Sequence, residues 1–398
     1  MDDSDSAAIV DERHGARDYD GPDDHRLGVR HAAYPELSHD ETERFNFLAQ
    51  MNHHLVGKVA PAVERAWTSR VAPRFEAEHG RPPANRHEAR KALLAEPVFQ
   101  TWSALRRMTM EQRQEAGRWA ALRQAETLAA RTASLIRQGQ LSLDPSLPIP
   151  RYVSAVDHHC MPGSYHGETF PGDVTGPASY DSGIYVTVRG RGGPLNDGIG
   201  QTLAGWIRET YPTLRPQRII DLGATTGHNL LPVAQAFPEA EVIGVDVGAP
   251  VLRYAAARAT ALGVDNVRFI QADASRLGQF EDGAFDLVMS TMFLHELSLP
   301  ALDAILAESH RLLAEGGLMI NMEQPAYAGM GPFEQAMRDW DAHYNNEPFW
   351  STLHDLDLDE RFTAAGFERE KLVHVTFEDP SGAVGGGRIS MVFVGARK

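Results

Sequence analysis

The sequence predicts an α/β fold, with a mostly parallel sheet in the C-terminal half and a mainly helical domain ahead of it, on three observations. Residues 217 to 227, Gln-Arg-Ile-Ile-Asp-Leu-Gly-Ala-Thr-Thr-Gly, form a short apolar run that ends in Asp221 and breaks into Gly223 and Gly227. This is the pattern of a strand delivering a ligand-binding turn, where glycine allows positive φ or close backbone approach. A second apolar run, Glu241 to Asp246, places another acid at a strand end about twenty residues later, the spacing for gripping a ribose. From near residue 196 to about 322, strand-like and helical patterns alternate, as crossover connections between parallel strands require.

Along the chain, residues 1 to about 40 are rich in Asp, His, Gly and Arg and poor in large apolar side chains, and are expected to form a mobile acidic tail. Asp40 with Glu43 reads as a capping pair, and Leu48, Met51, Leu55 and Val59 repeat at helical spacing. Asn85 with Glu88, and Thr109 with Gln112, read as two further helix starts, the second leading through Trp119, Leu122 and Leu135. Residues 41 to 140 are therefore expected to be a helical domain, whose apolar stripe suits a lid, a homodimer surface or simple packing on neighbouring helices. Residues 141 to 195 are a connector rich in Pro, Gly, Ser and Tyr, with a strand expected around Ile184 to Val188 and a role as cover over the ligand site. A helix around Gln201 to Tyr211 opens the C-terminal domain, residues 196 to 398. Lys371 to Thr376 and Arg388 to Val394 read as two closing strands around a Gly-rich turn.

Composition narrows the function classes. The 398 residues are 42% hydrophobic and 23% charged, ordinary for a globular chain, and the formal net charge of -16 disfavours nucleic acid and anionic membrane as partners. A small-molecule substrate is favoured. The single cysteine, Cys160, excludes an intrachain disulfide framework, and with no secretory pattern in Met-Asp-Asp-Ser-Asp and no long apolar stretch the expectation is a cytoplasmic, unanchored protein.

The glycine spacing helps to choose the ligand. Gly-x-Gly-x-x-Gly suits a dinucleotide, whereas Gly223-Ala-Thr-Thr-Gly227 has no third glycine in phase. At this point the chain resembles the class I S-adenosylmethionine-dependent methyltransferases, whose first motif is an acid, any residue, then alternate glycines. Asp221, Gly223 and Gly227 occupy family positions, while Thr225 stands where the family usually has its middle glycine, near the methionyl part of the cofactor. The resemblance continues in order. Asp246 matches the acid on the ribose hydroxyls, and Asn266-Val-Arg-Phe-Ile-Gln-Ala-Asp-Ala274 the segment that meets adenine, with Asp273 accepting from the base and Ala274 beside it. Phe285 to Glu296, which includes Ser290, resembles the fourth strand and its loop, and Arg311 to Asn321 the helix end, Gly-Gly turn and fifth strand. The resemblance covers about half the chain and implies a Rossmann-like seven-stranded sheet with S-adenosylmethionine as cofactor.

Methyl transfer is an in-line displacement at a sulfonium carbon, so a protein mainly aligns the reactants, and a base is needed for high-pKa hydroxyls. His295 is the candidate base: it follows the fourth strand, and Leu294-His295-Glu296-Leu297 resembles the Leu-His-Asp-Trp stretch of small-molecule O-methyltransferases, with Leu297 in place of tryptophan. A packed histidine closing the pocket is the bland alternative. In the connector, His158, Tyr165, His166 and Tyr180 are candidates for the substrate pocket, with Tyr180 also placed against the methionyl end of the cofactor. Asp157-His158-His159-Cys160 holds metal-ligand residue types, but adjacent ligands are not the spacing of a closed zinc site, and no metal is expected. After the fifth strand, Glu323, Gln324, Asn346 and Trp350 are further substrate candidates. Two other functions stay open: a non-methylating use of S-adenosylmethionine, such as cyclisation or aminocarboxypropyl transfer, and a non-catalytic binding protein on the same fold.

Overall fold

A computed structural model describes residues 31–193, 195–378 and 390–398. At its centre is an eight-stranded sheet made of β1 (Leu141–Ser142), β2 (Arg218–Leu222), β3 (Glu241–Asp246), β4 (Val267–Gln271), β5 (Phe285–Thr291), β6 (Leu313–Glu323), β7 (Leu372–Glu378) and β8 (Ser390–Arg397). The spatial order is β1-β4-β3-β2-β5-β6-β8-β7. Strands β1 to β6 run parallel, and β8 is antiparallel to both β6 and β7. The chain steps outward from β2 to β3 and β4, then returns across β2 to β5. The crevice at the carboxyl ends of β2 and β5 is thus a topological switch point, where such sheets bind ligands. The inner strands read as near-continuous apolar runs because both faces are covered. One face packs Ile219, Val242, Phe269 and Leu287 under helices, the other Ile220, Ile243, Val288 and Met319.

Seven strands were expected, and the eighth is β1, a two-residue piece of the connector that pairs with Phe269 and Ile270. The two closing strands stand where the sequence put them, while the Gly-rich turn between them lies outside the described residues. So do residues 1–30 of the expected tail. Residues 31–37 depart from that expectation, because Ala33 and Tyr34 are buried and His31 Nε2 lies 3.0 Å from Asp181 Oδ2.

The helical layer begins with α1 (His39–His54), which continues through a π-turn at Leu55–Val59 into α2 (Ala60–Ala66), and through another at Trp67–Val71 into α3 (Ala72–His79). Each π-turn precedes a proline, Pro61 or Pro73. A proline ring clashes with the carbonyl four residues back, and widening the turn by one residue relieves that clash. The cap of α1 is Ser38, whose side chain and Glu41 form the reciprocal box two residues before the expected Asp40 and Glu43. Then come α4 (Arg86–Leu93), capped by Asn85 as expected, α5 (Pro97–Leu122) and α6 (Ala125–Leu135). No helix starts at Thr109. Its hydroxyl donates to Leu105 O inside α5, and Glu96 with Pro97 makes the start four turns or so upstream.

After β1 the connector forms α7 (Arg151–Ser154), a 3₁₀ turn at His158–Cys160, and α8 (Thr175–Thr187). The strand expected at Ile184 to Val188 is the end of α8. Its β-branched run suggested a strand, but the segment is buried on almost every side, and tertiary packing overrides local preference. Helices α5 and α8 cross closely, since a Cβ on Gly117 would lie 2.6 Å from Ser179 Oγ.

The remaining helices are α9 (Gly198–Thr210), α10 (Leu230–Ala236), α11 (Ala249–Ala261), α12 (Leu299–Leu312), α13 (Pro332–Arg338), α14 (Trp340–Tyr344), α15 (Trp350–His354) and α16 (Leu358–Ala364). The core of the helical layer joins Leu55, Leu93 and Trp102 to Ala336, Met337 and Trp340, so the layer over the sheet edge is discontinuous in sequence. No helix among the described residues is long and apolar enough to cross a membrane.

Candidate active site

A cavity of about 530 Å³ runs from the carboxyl ends of β2, β3 and β5 up to the helical layer. Its lower end is the turn after β2. Gly223 has φ +77, and a Cβ there would lie 2.4 Å from the Phe293 ring, so this position accepts only glycine without movement. Thr225 takes φ +47, an unusual conformation for a β-branched residue. The turn holds it there: Thr225 N donates to Asp246 Oδ2 at 3.0 Å and its hydroxyl to Gly223 O at 3.0 Å. Asp246 is fixed from its other side by Gly248 N at 2.8 Å. Burial raises the Asp246 carboxyl to about 6 against the pull of those backbone donors. Burial, and then the neighbouring Asp246 charge, raise Asp221 well above the ordinary carboxyl range, and its Oδ1 is buried without a partner.

These features fit S-adenosylmethionine. An orphaned buried carboxyl, an acid at the end of β3, and a turn whose glycine leaves no room for a side chain all face one space, which Ala272 and Ala274 also line. The turn is braced from outside the cavity by Asp181. This buried carboxylate takes His228 Nε2 at 2.8 Å and Tyr254 Oη at 2.7 Å, and Arg258 Nη1 lies 3.7 Å away.

The upper end carries the titratable groups. His295, in a 3₁₀ turn at Leu294–Glu296, has Nδ1 2.8 Å from Glu323 Oε2, and the other carboxylate oxygen accepts from Leu294 N at 2.7 Å. Burial alone would lower the His295 pKa, but the Glu323 carboxylate outweighs it and raises it to about 9. Trp350 packs edge-on, ring centroids 5.1 Å apart, which fixes the imidazole plane. Beyond it, His159 lies between two carboxylates, Nε2 3.0 Å from Glu296 Oε1 and Nδ1 against Glu347 Oε1. Burial opposes its charge, but the Glu347 and Glu296 charges win and raise it to about 10. Tyr165 donates to Glu296 at 3.1 Å, and Tyr165, Tyr180 and His228 form a ring-to-ring path down to the cofactor turn at spacings of 5.8 and 6.1 Å.

The structure thus brings together Asp221, Gly223, Thr225, Asp246, Ala274, Tyr180, His158, Tyr165, His295, Gln324 and Trp350 on one cavity wall. Six other candidates lie off it, among them Glu323, which stands behind His295. Gly227 lies beside Leu231 and Ala255, and its φ of +77 rather than any crowding is what favours glycine there. Asp273 accepts from Ser275 N and Oγ at 2.9 and 2.7 Å, so it closes its own turn. Ser290 donates to Asn321 Oδ1 at 2.7 Å between strands. Asn346 is exposed and donates to Asp157 O at 3.0 Å. His166 is half-buried and does not line the cavity.

Several wall residues went unnamed in the sequence reading. Glu296 and Glu347 sit in stretches already of interest, but nothing in the spacing shows that they meet at His159. Arg113 lies inside a long helix with no local signal at all. The metal-ligand residue types also regroup. His159, Glu296 and Glu347 offer ligand atoms within 4.8 Å of one another, whereas Cys160 Sγ turns to Tyr344 O at 3.9 Å. A cation there would have to displace the proton that the two carboxylates hold on His159.

Comparisons with known proteins agree with this geometry. Residues 219–317 match the family model described as a methyltransferase domain. The chain is similar to a demethylmenaquinone methyltransferase of Thermus thermophilus, 40% identical over 110 residues, 28% of this chain and 48% of that protein. It is similar to a malonyl-[acyl-carrier protein] O-methyltransferase of Geobacter sulfurreducens, 35% identical over 136 residues, 34% of this chain and 47% of that one. A trans-aconitate 2-methyltransferase of Deinococcus radiodurans is 36% identical over 102 residues, 26% of this chain and 36% of that one. The chain spans about half, or less, of the length of these curated relatives. Residues 219–317, with the parallel sheet built around them, thus carry a methyltransferase domain.

Proposed function

We propose that the protein transfers a methyl group from S-adenosylmethionine to an oxygen of a small-molecule acceptor. The observation that carries this reading is the buried His295–Glu323 pair, at the acceptor end of the cavity whose other end is the Gly223 turn. The bound cofactor supplies an electrophilic methyl group on a sulfonium. Gly223, Asp246 and Asp221 would hold its nucleoside end, and the Tyr165 and Tyr180 rings that line the same cavity would favour its positive sulfur. Glu323 fixes His295 through Nδ1, which leaves Nε2 to take a proton from an acceptor hydroxyl. The O-methyltransferase and carboxylic-acid names among the relatives are consistent with an oxygen acceptor, and the net charge of -16 favours a small molecule over nucleic acid.

The test is incubation with S-adenosylmethionine and a panel of phenols, alcohols, amines and thiols, followed by mass spectrometry. S-adenosylhomocysteine together with an O-methylated product is expected. A product formed from the cofactor without S-adenosylhomocysteine would favour cyclisation or aminocarboxypropyl transfer, the reading that the unusual Thr225 turn leaves open. Turnover should survive dialysis against EDTA, because the His159 side chain already occupies the space between the two carboxylates and balances one of their charges. A loss of activity restored by one divalent ion would contradict that.

The His295–Glu323 pair also sets a stability signature. Its folded pKa, about 9, lies above the ordinary histidine value of 6.5, so its stabilisation is fully present below pH 6.5 and is lost as pH rises through about 9. Urea midpoints of wild type should therefore fall more between pH 7 and pH 10 than those of His295→Gln. Equal falls would show that the pair is not charged in the folded protein.

A further inference from the structure

We propose that Arg113 is the anchor for a carboxylate carried by the acceptor, which places the substrates among small organic acids. The proposal rests on the reading of this cavity as a methyltransferase site and adds the class of acceptor. Arg113 projects from α5 into the cavity wall at 4% exposure. It makes no hydrogen bond or ion pair with any described residue, and its Nε is buried without a partner. Arg106, a half-buried arginine of the same cavity, by contrast has the Asp341 carboxylate at 2.9 Å. A guanidinium kept from water without an anion is costly, and such groups are found paired or bound to ligand.

Position selects the source of the anion. Arg113 has Tyr165 and Glu347 of the His159 cluster among its charged and polar neighbours, and no group of the Gly223–Gly227 turn. The cofactor's own carboxylate is the other source of this chemistry, and the test separates the two. The planar fork of arginine matches a carboxylate with two parallel hydrogen bonds. A phosphate dianion fits less well, because Glu347 and Glu296 stand at the same end and repel a second negative charge. The anchored carboxylate and the methylated oxygen are separate groups of one acceptor.

The experiment uses the full chain saturated with S-adenosylhomocysteine, and compares benzoate and succinate with benzamide and succinamide by thermal shift. The acids are expected to raise the melting temperature of wild type and the amides not, and Arg113→Met should abolish the acid shift. In the absence of acids, Arg113→Met should melt at the same temperature as wild type or higher, since an unpaired buried charge has been removed. S-adenosylhomocysteine affinity, measured by calorimetry, should stay within about threefold, a difference well under one tenfold step of binding free energy. Loss of S-adenosylhomocysteine binding in Arg113→Met would assign the arginine to the cofactor and overturn the proposal. So would an acid shift that persists in the variant, equal shifts from acids and amides, no shift from either acid, or a lower melting temperature of unliganded Arg113→Met. Failure of wild type to bind S-adenosylhomocysteine would instead strike at the methyltransferase reading itself.

Discussion

His295→Gln is expected to lower kcat by roughly 10²- to 10⁴-fold, the usual worth of a positioned general base, while the affinity for S-adenosylhomocysteine stays nearly unchanged. Glutamine retains a polar group of similar reach but cannot take the proton. The imidazole is raised to about 9 by Glu323, against burial, so the neutral form that acts as base is a minority at neutral pH. The rate at low acceptor concentration should consequently rise with pH and level off above about 9. Glu323→Gln should move that rise to lower pH, because the carboxylate that favours the imidazolium is gone. A flat pH profile together with a fully active His295→Gln enzyme would reduce His295 to a packing residue against Trp350.

Gly223→Ala should weaken S-adenosylhomocysteine binding by roughly 10- to 100-fold, from about 1–3 kcal/mol of backbone strain and overpacking in the turn that must accept the ligand. The new Cβ would meet both penalties at once, φ +77 and a ring carbon of Phe293 at 2.4 Å. Gly263→Ala is the control. It has φ +69 but nothing within 4 Å of the added carbon, so it should cost stability alone and leave ligand affinity intact. If both variants lost affinity equally, the defect would be global and Gly223 would have no special place in the site.

The legibility of the chain follows physical lines. The sheet could be read because each inner strand carries its own signal: an apolar run, an acid at its end, a glycine break. Asp221, Gly223 and Asp246 share the cofactor crevice because strand ends of a parallel sheet lie side by side, which local patterns already encode. Ile184 to Val188 reads locally as a strand because it is rich in β-branched residues, and the burial that makes it helical comes from α1 and α5, whose Phe45, Leu48, Ala49 and Ala116 cluster with Tyr185 and Val186. Thr109 was misread as a helix start because a threonine inside a helix can bond back to Leu105 O and so looks like a cap. The acceptor end was mostly hidden. His159, Glu296 and Glu347 come from three distant segments, and Arg113 from a fourth, so only the folded chain shows that a histidine is clamped between two carboxylates. Asp273 and Ser290 illustrate the opposite limit. Both stand in motif positions, yet each spends its side chain on a neighbour in its own turn or strand pair.

The central claim is that the crevice at the ends of β2, β3 and β5 holds S-adenosylmethionine. Calorimetric titration of S-adenosylmethionine and S-adenosylhomocysteine into the purified protein, with a nicotinamide dinucleotide as control, tests it most directly. Saturable one-to-one binding of the two sulfur ligands and none of the dinucleotide is the predicted result. Absence of binding by either sulfur ligand, or equal binding of the dinucleotide, would contradict the account and leave the fold as a scaffold for some other partner.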